Sequence, residues 1–138
     1  MALHLVKLCV GAESLEDLKR WMARRARTKA GPVHRTRAMP KRREEILDGG
    51  SLYWVIRGRI EARQAVVGLE EGPLEDGRPG CHIRLDAAVV RTVPRAMRPF
   101  QGWRYLEAQA APADLPELEG GAALPPALAA ELRDLGLL

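Results

Sequence analysis

The sequence has few cysteines and few aromatic residues, and it has no long apolar run. Two cysteines among 138 residues supply no disulfide framework. No apolar stretch reaches the roughly 20 residues that span a bilayer, and the short one over residues 3–10 lacks a basic leader and a small-residue cleavage site. We therefore expect a cytoplasmic protein that does not bind a membrane.

The residues that are present suit an ordinary globular domain. Hydrophobic residues make up 46% of the chain and charged residues 29%, a balance that supports a core and argues against disorder. A chain of 138 residues can bury that core without metals or disulfides. We expect one domain over residues 1–138, in which Cys9 and Cys81 are reduced and buried in apolar strands.

Acidic residues are missing from residues 19–43, which we term the basic segment. It contains eleven lysines and arginines and no aspartate or glutamate. The formal net charge of +4 hides this asymmetry, because residues 1–64 carry 15 basic and 7 acidic residues while residues 65–138 carry 7 and 11. Such a concentration of one sign repels itself unless solvent or an anionic ligand relieves it. An anionic partner is therefore the main functional expectation.

Hydrophobic periodicity and glycine positions predict helices near both ends of the chain and strands between them. The predicted helices cover Ser14 to about Arg27, residues 40–48 and, in the acidic C-terminal part, residues 125–135. The predicted strands cover residues 3–10, 52–56, 60–69, 81–89 and 103–106. Loops or irregular stretches are predicted over residues 28–39, 71–80 and 91–102. This order favours an α+β fold in which a small antiparallel or mixed sheet curls toward a barrel with flanking helices.

The stretch after Ile56 has two readings. Arg57 and Gly58 form a tight hairpin turn, or the strand continues through them. In the second case Arg57, Arg59, Glu61 and Arg63 share one face and line a groove.

Three stretches carry a resemblance to known families. The runs PKRREEILDGGSLYWVIRG at 40–58, RQ at 63–64 and RPFQGWRYL at 98–106 resemble a bacterial family of uncharacterised proteins that carries only a domain-of-unknown-function label. Over about 50 residues, a short helix that ends in glycine before a strand pair also resembles the layout of the PUA-like superfamily and its ASCH branch. This second resemblance implies a small RNA-binding barrel. Some ASCH-like proteins resemble amidohydrolases of modified nucleosides, but their lysine after the helix is missing here, where Ser51 and Leu52 stand.

Metal ligands are scarce in this sequence, and their spacing is unsuitable. The pool is His4, Cys9, His34, Cys81 and His82, with no C-x-x-C or H-x-x-x-H spacing. The glycine pair at 49–50 follows a helix and therefore predicts a C-cap rather than a phosphate loop. We expect neither a metal nor a cofactor.

Aromatic residues stand close to the basic segment. Of six in the chain, Tyr53 and Trp54 follow that segment, and three more fall within residues 100–105. Neighbouring strand residues face opposite sides, so we expect one of Tyr53 and Trp54 to be buried and the other to stack on a base. Trp103, next to Arg104, has the same two alternatives of core packing or base stacking.

The leading hypothesis is a non-catalytic module that binds nucleic acid, RNA rather than DNA, because cations grip phosphates and aromatic rings stack bases. The predicted contact residues are Arg35, Arg37, Lys41, Arg42, Arg43, Tyr53, Trp54, Arg57, Arg63, Trp103 and Arg104. Two other readings stay open. One is an enzyme that acts on a nucleoside or modified base with Glu61 or Asp86 as acid or base, and the other is an adaptor for an acidic protein partner.

Overall fold

The computed structural model describes residues 3–28, 31–98 and 100–115. Two α-helices and seven strands form within them, followed by a 3-10 turn at Ala108–Ala110. In chain order they are β1 His4–Leu8, α1 Leu15–Ala26, β2 Val33–Thr36, α2 Arg43–Leu47, β3 Ser51–Ile56, β4 Arg59–Pro73, β5 Pro79–Leu85, β6 Val90–Ala96 and β7 Trp103–Leu106. The helix predicted over residues 125–135 lies outside the described residues.

All seven strands belong to one mixed sheet. The strand order is β2-β5-β4-β3-β1-β7, and β6 pairs with β4 beside that path. β1 and β3 are parallel, and the other pairs are antiparallel. The predicted α+β class and curled mixed sheet are confirmed, although across the described residues the sheet stays open and does not close into a barrel.

Helix α1 begins where its sequence predicts. The Ser14 hydroxyl accepts a hydrogen bond from the Asp17 N–H at 3.2 Å, which satisfies one of the free donors of the first turn. The side chains of Leu15, Leu18 and Met22 recur at helical spacing and are buried against the sheet. The opposite face of α1 therefore carries the basic residues of the segment.

The turn between β3 and β4 decides between the two readings of this stretch. Arg57 and Gly58 have φ angles of +54° and +80°. Two positive φ angles between paired strands are typical of a type I′ hairpin turn. The tight turn is therefore correct, and the continuous strand is wrong.

Three stretches predicted as loops contain strand. They are residues 28–39, which hold β2, residues 71–80, which hold the end of β4 and the start of β5, and residues 91–102, which hold most of β6. Pro73 and Pro79 face each other where β4 and β5 separate, so the missing N–H of each breaks no ladder within the strands. Pro94 falls in the irregular part of the β4–β6 pairing, where proline is tolerated.

The sheet is covered on both faces, which buries β3 along its whole length. One face packs under the helices through Leu18, Met22 and Ile46, while Phe100 packs on the other with Ala110 and Ala111. Among the described residues, no helix combines the length and apolar character needed to cross a bilayer.

Candidate functional site

A cleft of about 1190 Å³ opens beside β2, between the β4–β5 loop and the start of β7. Its basic lining residues come from four separate parts of the chain: Lys7, Arg25, Arg35, Arg37 and Arg78. Two carboxylates, those of Glu75 and Asp76, also line it. Cations therefore outnumber carboxylates five to two, and we term this feature the basic cleft.

The arginines of the cleft differ in how far they are already paired. Arg78 binds Asp76 at 2.5 Å, and this hydrogen bonding, with a smaller effect of the Arg37 charge, lowers the pKa of Asp76. Arg35 reaches only to 4.0 Å from Glu75. Arg37 has no ion pair with any other described residue. Arg35 and Arg37 are therefore the guanidinium groups most available to an anion.

Lys7 lines the cleft from β1, beside Trp103. Across the sheet it stands opposite Trp54 on β3 and opposite Trp103 on β7. Burial lowers the pKa of its ammonium group. Arg25 approaches from α1 and donates a hydrogen bond of 3.5 Å to the Val33 carbonyl on β2. Lys7 and Arg25 therefore bring positive charge to the cleft from β1 and from α1.

His34 lies on β2 beside these cations and is neutral at pH 7. Its ring packs edge-on against Trp54, with centroids 5.1 Å apart and planes at 89°. Burial, followed by the charges of Lys7 and Arg25, lowers the pKa of His34 to about 3. The buried Nε2 atom has no hydrogen-bond partner among the described residues. His34 therefore adds no positive charge to the cleft.

Trp103 supplies the aromatic surface of the cleft. Its Nε1 donates a hydrogen bond of 2.8 Å to the Ala38 carbonyl, and its ring packs edge-on against Tyr105 at 5.0 Å. These two contacts fix the orientation of the indole, while the residue stays only partly buried. A flat ligand can stack there without first ordering the ring.

The cleft brings together three of the predicted contact residues, namely Arg35, Arg37 and Trp103. The prediction that Tyr53 or Trp54 is free to stack is wrong. The two side chains do face opposite sides of the sheet, but both sides are covered, so Tyr53 is 4% exposed and Trp54 is 2% exposed. The Trp54 Nε1 donates instead to the Gln64 side-chain carbonyl at 2.8 Å.

Two predicted phosphate contacts are occupied by carboxylates. Arg42 binds Glu45 at 2.5 Å and Glu107 at 3.6 Å, and the hydrogen bond to Glu45 raises the pKa of its guanidinium. Arg63 donates two hydrogen bonds of 2.7 Å to the Asp114 carboxylate, which lowers the pKa of Asp114. Each arginine therefore links two distant parts of the chain through an ion pair.

The other predicted residues lie away from the cleft lining. Lys41 is exposed before α2, and Arg43 is the exposed first residue of α2. Arg57 is in the hairpin turn, and the guanidinium carbon of Arg104 lies 4.6 Å from the centre of the Phe100 ring. The two proposed acid or base residues also lie elsewhere: Glu61 is within β4, and Asp86 is an exposed residue whose carboxylate accepts the Ala88 N–H.

Lys7, Arg25, His34 and Arg78 are cleft residues that the predicted contact set lacks. The sequence held a signal for Lys7, because it is the only formally charged residue in an otherwise apolar strand. Arg25 was within the basic segment but indistinguishable from its neighbours. Arg78 lies in a glycine- and proline-rich loop, whose sequence does not predict that this arginine lines the cleft.

A model of the proteins of unknown function termed DUF1489 matches residues 5–138. The chain belongs to this DUF1489 family. No curated protein and no solved structure matches the chain. Membership of the DUF1489 family agrees with the resemblance to a family without assigned function, and it names no ligand for the cleft.

The thiols and acids of this DUF1489 member form no obvious chemical centre within the described residues. Cys9 and Cys81 are free and buried, as predicted, and burial raises the pKa of each thiol to about 11. Both thiols are protonated at neutral pH and are poor nucleophiles. In residues 3–28, 31–98 and 100–115, no three His, Cys, Asp or Glu side chains gather as a metal ion would require.

Proposed function

We propose that the basic cleft binds a single strand of nucleic acid, RNA rather than DNA, and that binding is its whole task. The observation that carries the proposal is the excess of cations around an oriented indole. Phosphates would contact Arg35, Arg37, Arg25 and Lys7, and a base would stack on Trp103. Cations and one aromatic platform are the parts that single-strand binding without strong sequence preference requires.

The size of the cleft supports a ligand longer than a single nucleotide. Its volume of about 1190 Å³ exceeds the roughly 300–1,000 Å³ of most small-molecule pockets. A lining shared by cations and acids also suits a charged backbone better than an apolar ligand. RNA is the preferred polymer because proteins commonly recognise it in single-stranded loops and ends.

The test is fluorescence anisotropy with a labelled oligouridylate of about 12 nucleotides, a length within the range that small binding folds cover. Four phosphate contacts in the cleft contribute about −3 to the slope of the logarithm of the association constant against the logarithm of salt concentration. The double variant Arg35→Gln/Arg37→Gln should weaken binding and reduce that slope by about 1.4. Deoxyuridylate of the same length tests the preference for RNA.

A matched control removes the same charge elsewhere. Arg57 and Arg91 are exposed and lie neither in the basic cleft nor on α1. Arg57→Asn/Arg91→Gln should therefore keep most of the affinity. Equal weakening in both double variants, or no binding at about 50 mM salt, contradicts the proposal. Binding of polyglutamate in place of RNA would assign the cleft to an acidic protein.

A further inference from the structure

A second basic surface adjoins the basic cleft along α1. A groove of about 400 Å³ is lined there by Arg20, Arg24 and Arg27, with Trp21 and Ala23 between them and Asp17 at one end. We term it the helix groove. Arg20 binds the Asp17 carboxylate and offsets its charge. Arg24 and Arg27 have no ion pair with another described residue, so the groove has positive charge to offer.

Trp21 gives the helix groove an aromatic surface. A Cβ atom built at Gly11 would lie 3.2 Å from Cη2 of Trp21, so the indole rests against a residue that has no side chain. The indole is only partly buried, and Val10 beside Gly11 is 78% exposed. An accessible apolar spot therefore adjoins the arginines. Part of the indole packs against the core that Leu15, Leu18 and Met22 form on the same helix, and Trp21 also lines the helix groove.

The last turns of α1 border both features. Arg25 and Thr28 line the basic cleft, whereas Arg24 and Arg27 line the helix groove. Successive residues of an α-helix point about 100° apart, so Arg24 and Arg25 direct their charges to two sides of one helix end. A chain of phosphates that passes Arg25 on leaving the cleft would next meet Arg24 and Arg27.

We infer that the helix groove is a second subsite for the same single strand, which crosses the end of α1 and stacks a further base on Trp21. This inference rests on the proposed function of the cleft. A polyanion is the ligand that can reach both basic surfaces at once. The indole between the arginines favours nucleic acid among polyanions, because each nucleotide supplies a stacking base beside its phosphate.

Oligouridylates of about 4 and about 12 nucleotides separate the two sites. The short one should fill the basic cleft alone, and the long one should also reach the helix groove. Arg24→Gln/Arg27→Gln should weaken binding of the long oligonucleotide about tenfold and of the short one less than about twofold. The control Arg57→Asn/Arg91→Gln, with the same loss of charge, should change neither affinity by more than about twofold.

Tryptophan emission gives an independent readout. In a Trp103→Phe variant the remaining tryptophans are Trp21 and the buried Trp54, so quenching reports base stacking on Trp21. The long oligonucleotide should quench this emission and the short one should not, and a further Trp21→Phe change should abolish the effect.

The outcomes distinguish the two proposals. Short-oligonucleotide binding without any length-dependent effect of Arg24→Gln/Arg27→Gln overturns the helix-groove subsite and leaves the cleft intact. Failure of both oligonucleotides to bind removes the cleft proposal as well. Quenching of Trp21 by phosphatidylserine vesicles but not by the long oligonucleotide would assign the groove to a membrane surface and overturn the subsite.

Discussion

Acidification from pH 7 to pH 5 should weaken the folded protein through His34. Burial, then the charges of Lys7 and Arg25, holds the pKa of His34 at about 3 in the folded chain, whereas an exposed histidine titrates near about 6.5. Below pH 6.5 the unfolded chain therefore binds a proton here that the folded chain does not. The contribution of His34 to the free energy of unfolding is therefore complete above that pH, and it is lost as the pH falls toward 3.

The size of the effect follows from the width of this window. Each pH unit between the two pKa values changes the free energy of unfolding by about 1.4 kcal/mol. The interval from pH 6.5 to pH 5 therefore corresponds to about 2 kcal/mol for His34. Burial and the Arg63 charge also lower the pKa of His4, which adds a contribution of the same sign. Carboxylates with lowered pKa, such as Asp114, act at lower pH and leave this window clear.

The variant His34→Phe isolates the contribution. Phenylalanine keeps an aromatic ring against Trp54 and removes both the titrating group and the unpartnered Nε2, whose burial costs about 1–3 kcal/mol. Urea unfolding at pH 7, 6 and 5, followed by tryptophan emission, should show a smaller loss in the variant than in the wild type, by about 2 kcal/mol. The pH dependence of the free energy of unfolding that is due to His4 should remain in the variant. Parallel stability curves for the two proteins over this range would refute the reasoning.

Two further predictions concern backbone positions. Arg57→Asn should raise the free energy of unfolding by about 0.5–1 kcal/mol. Arg57 has a φ angle of +54°, and asparagine accepts this left-handed conformation more readily than arginine does. An unchanged urea midpoint would contradict this prediction. Gly50→Ala should lower the free energy of unfolding by about 3 kcal/mol. The new Cβ would lie 2.2 Å from the Leu3 carbonyl oxygen and 2.5 Å from that of Ile46, and both are backbone atoms. A urea midpoint within error of the wild type would show that this contact relaxes.

Local structure was predictable where one short signal was enough. The Ser14 cap with the apolar spacing of α1, and the apolar strand before Arg57-Gly58, each depend on a few neighbouring residues. β2 escaped prediction because four residues with a histidine and an arginine show no strand period. Its strand conformation comes from pairing with β5, a partner about fifty residues away. The predicted strand over residues 81–89 contains most of β5, whereas Pro94 inside β6 masked the strand pattern of Val90–Ala96.

The cleft depended on contacts that no local pattern contains. Arg35 and Arg37 were predicted from charge alone, and their neighbours in space are Lys7 and Trp103. Lys7 and Trp103 are adjacent because β1 lies between β3 and β7, while Arg35 comes from β2 at the opposite end of the strand order. The helices cover one face of β3 and Phe100 packs on the other, which removed Tyr53 and Trp54 from the site. Alternation along a strand predicts which sides two residues face, but it does not predict whether each side is covered.

The individual arginines differ in whether they already bind a carboxylate. The number of basic residues therefore does not by itself locate the site. Arg42 and Arg63 lie within 2.7 Å of carboxylate oxygens, so a phosphate would have to compete with a bound partner there. Arg37, Arg24 and Arg27 have no such partner among the described residues. An incoming phosphate at these positions breaks no ion pair with a described residue, and the release of counterions is what drives nucleic-acid binding. Salt dependence should therefore follow the unpaired arginines around α1 and β2 and not the basic segment as a whole.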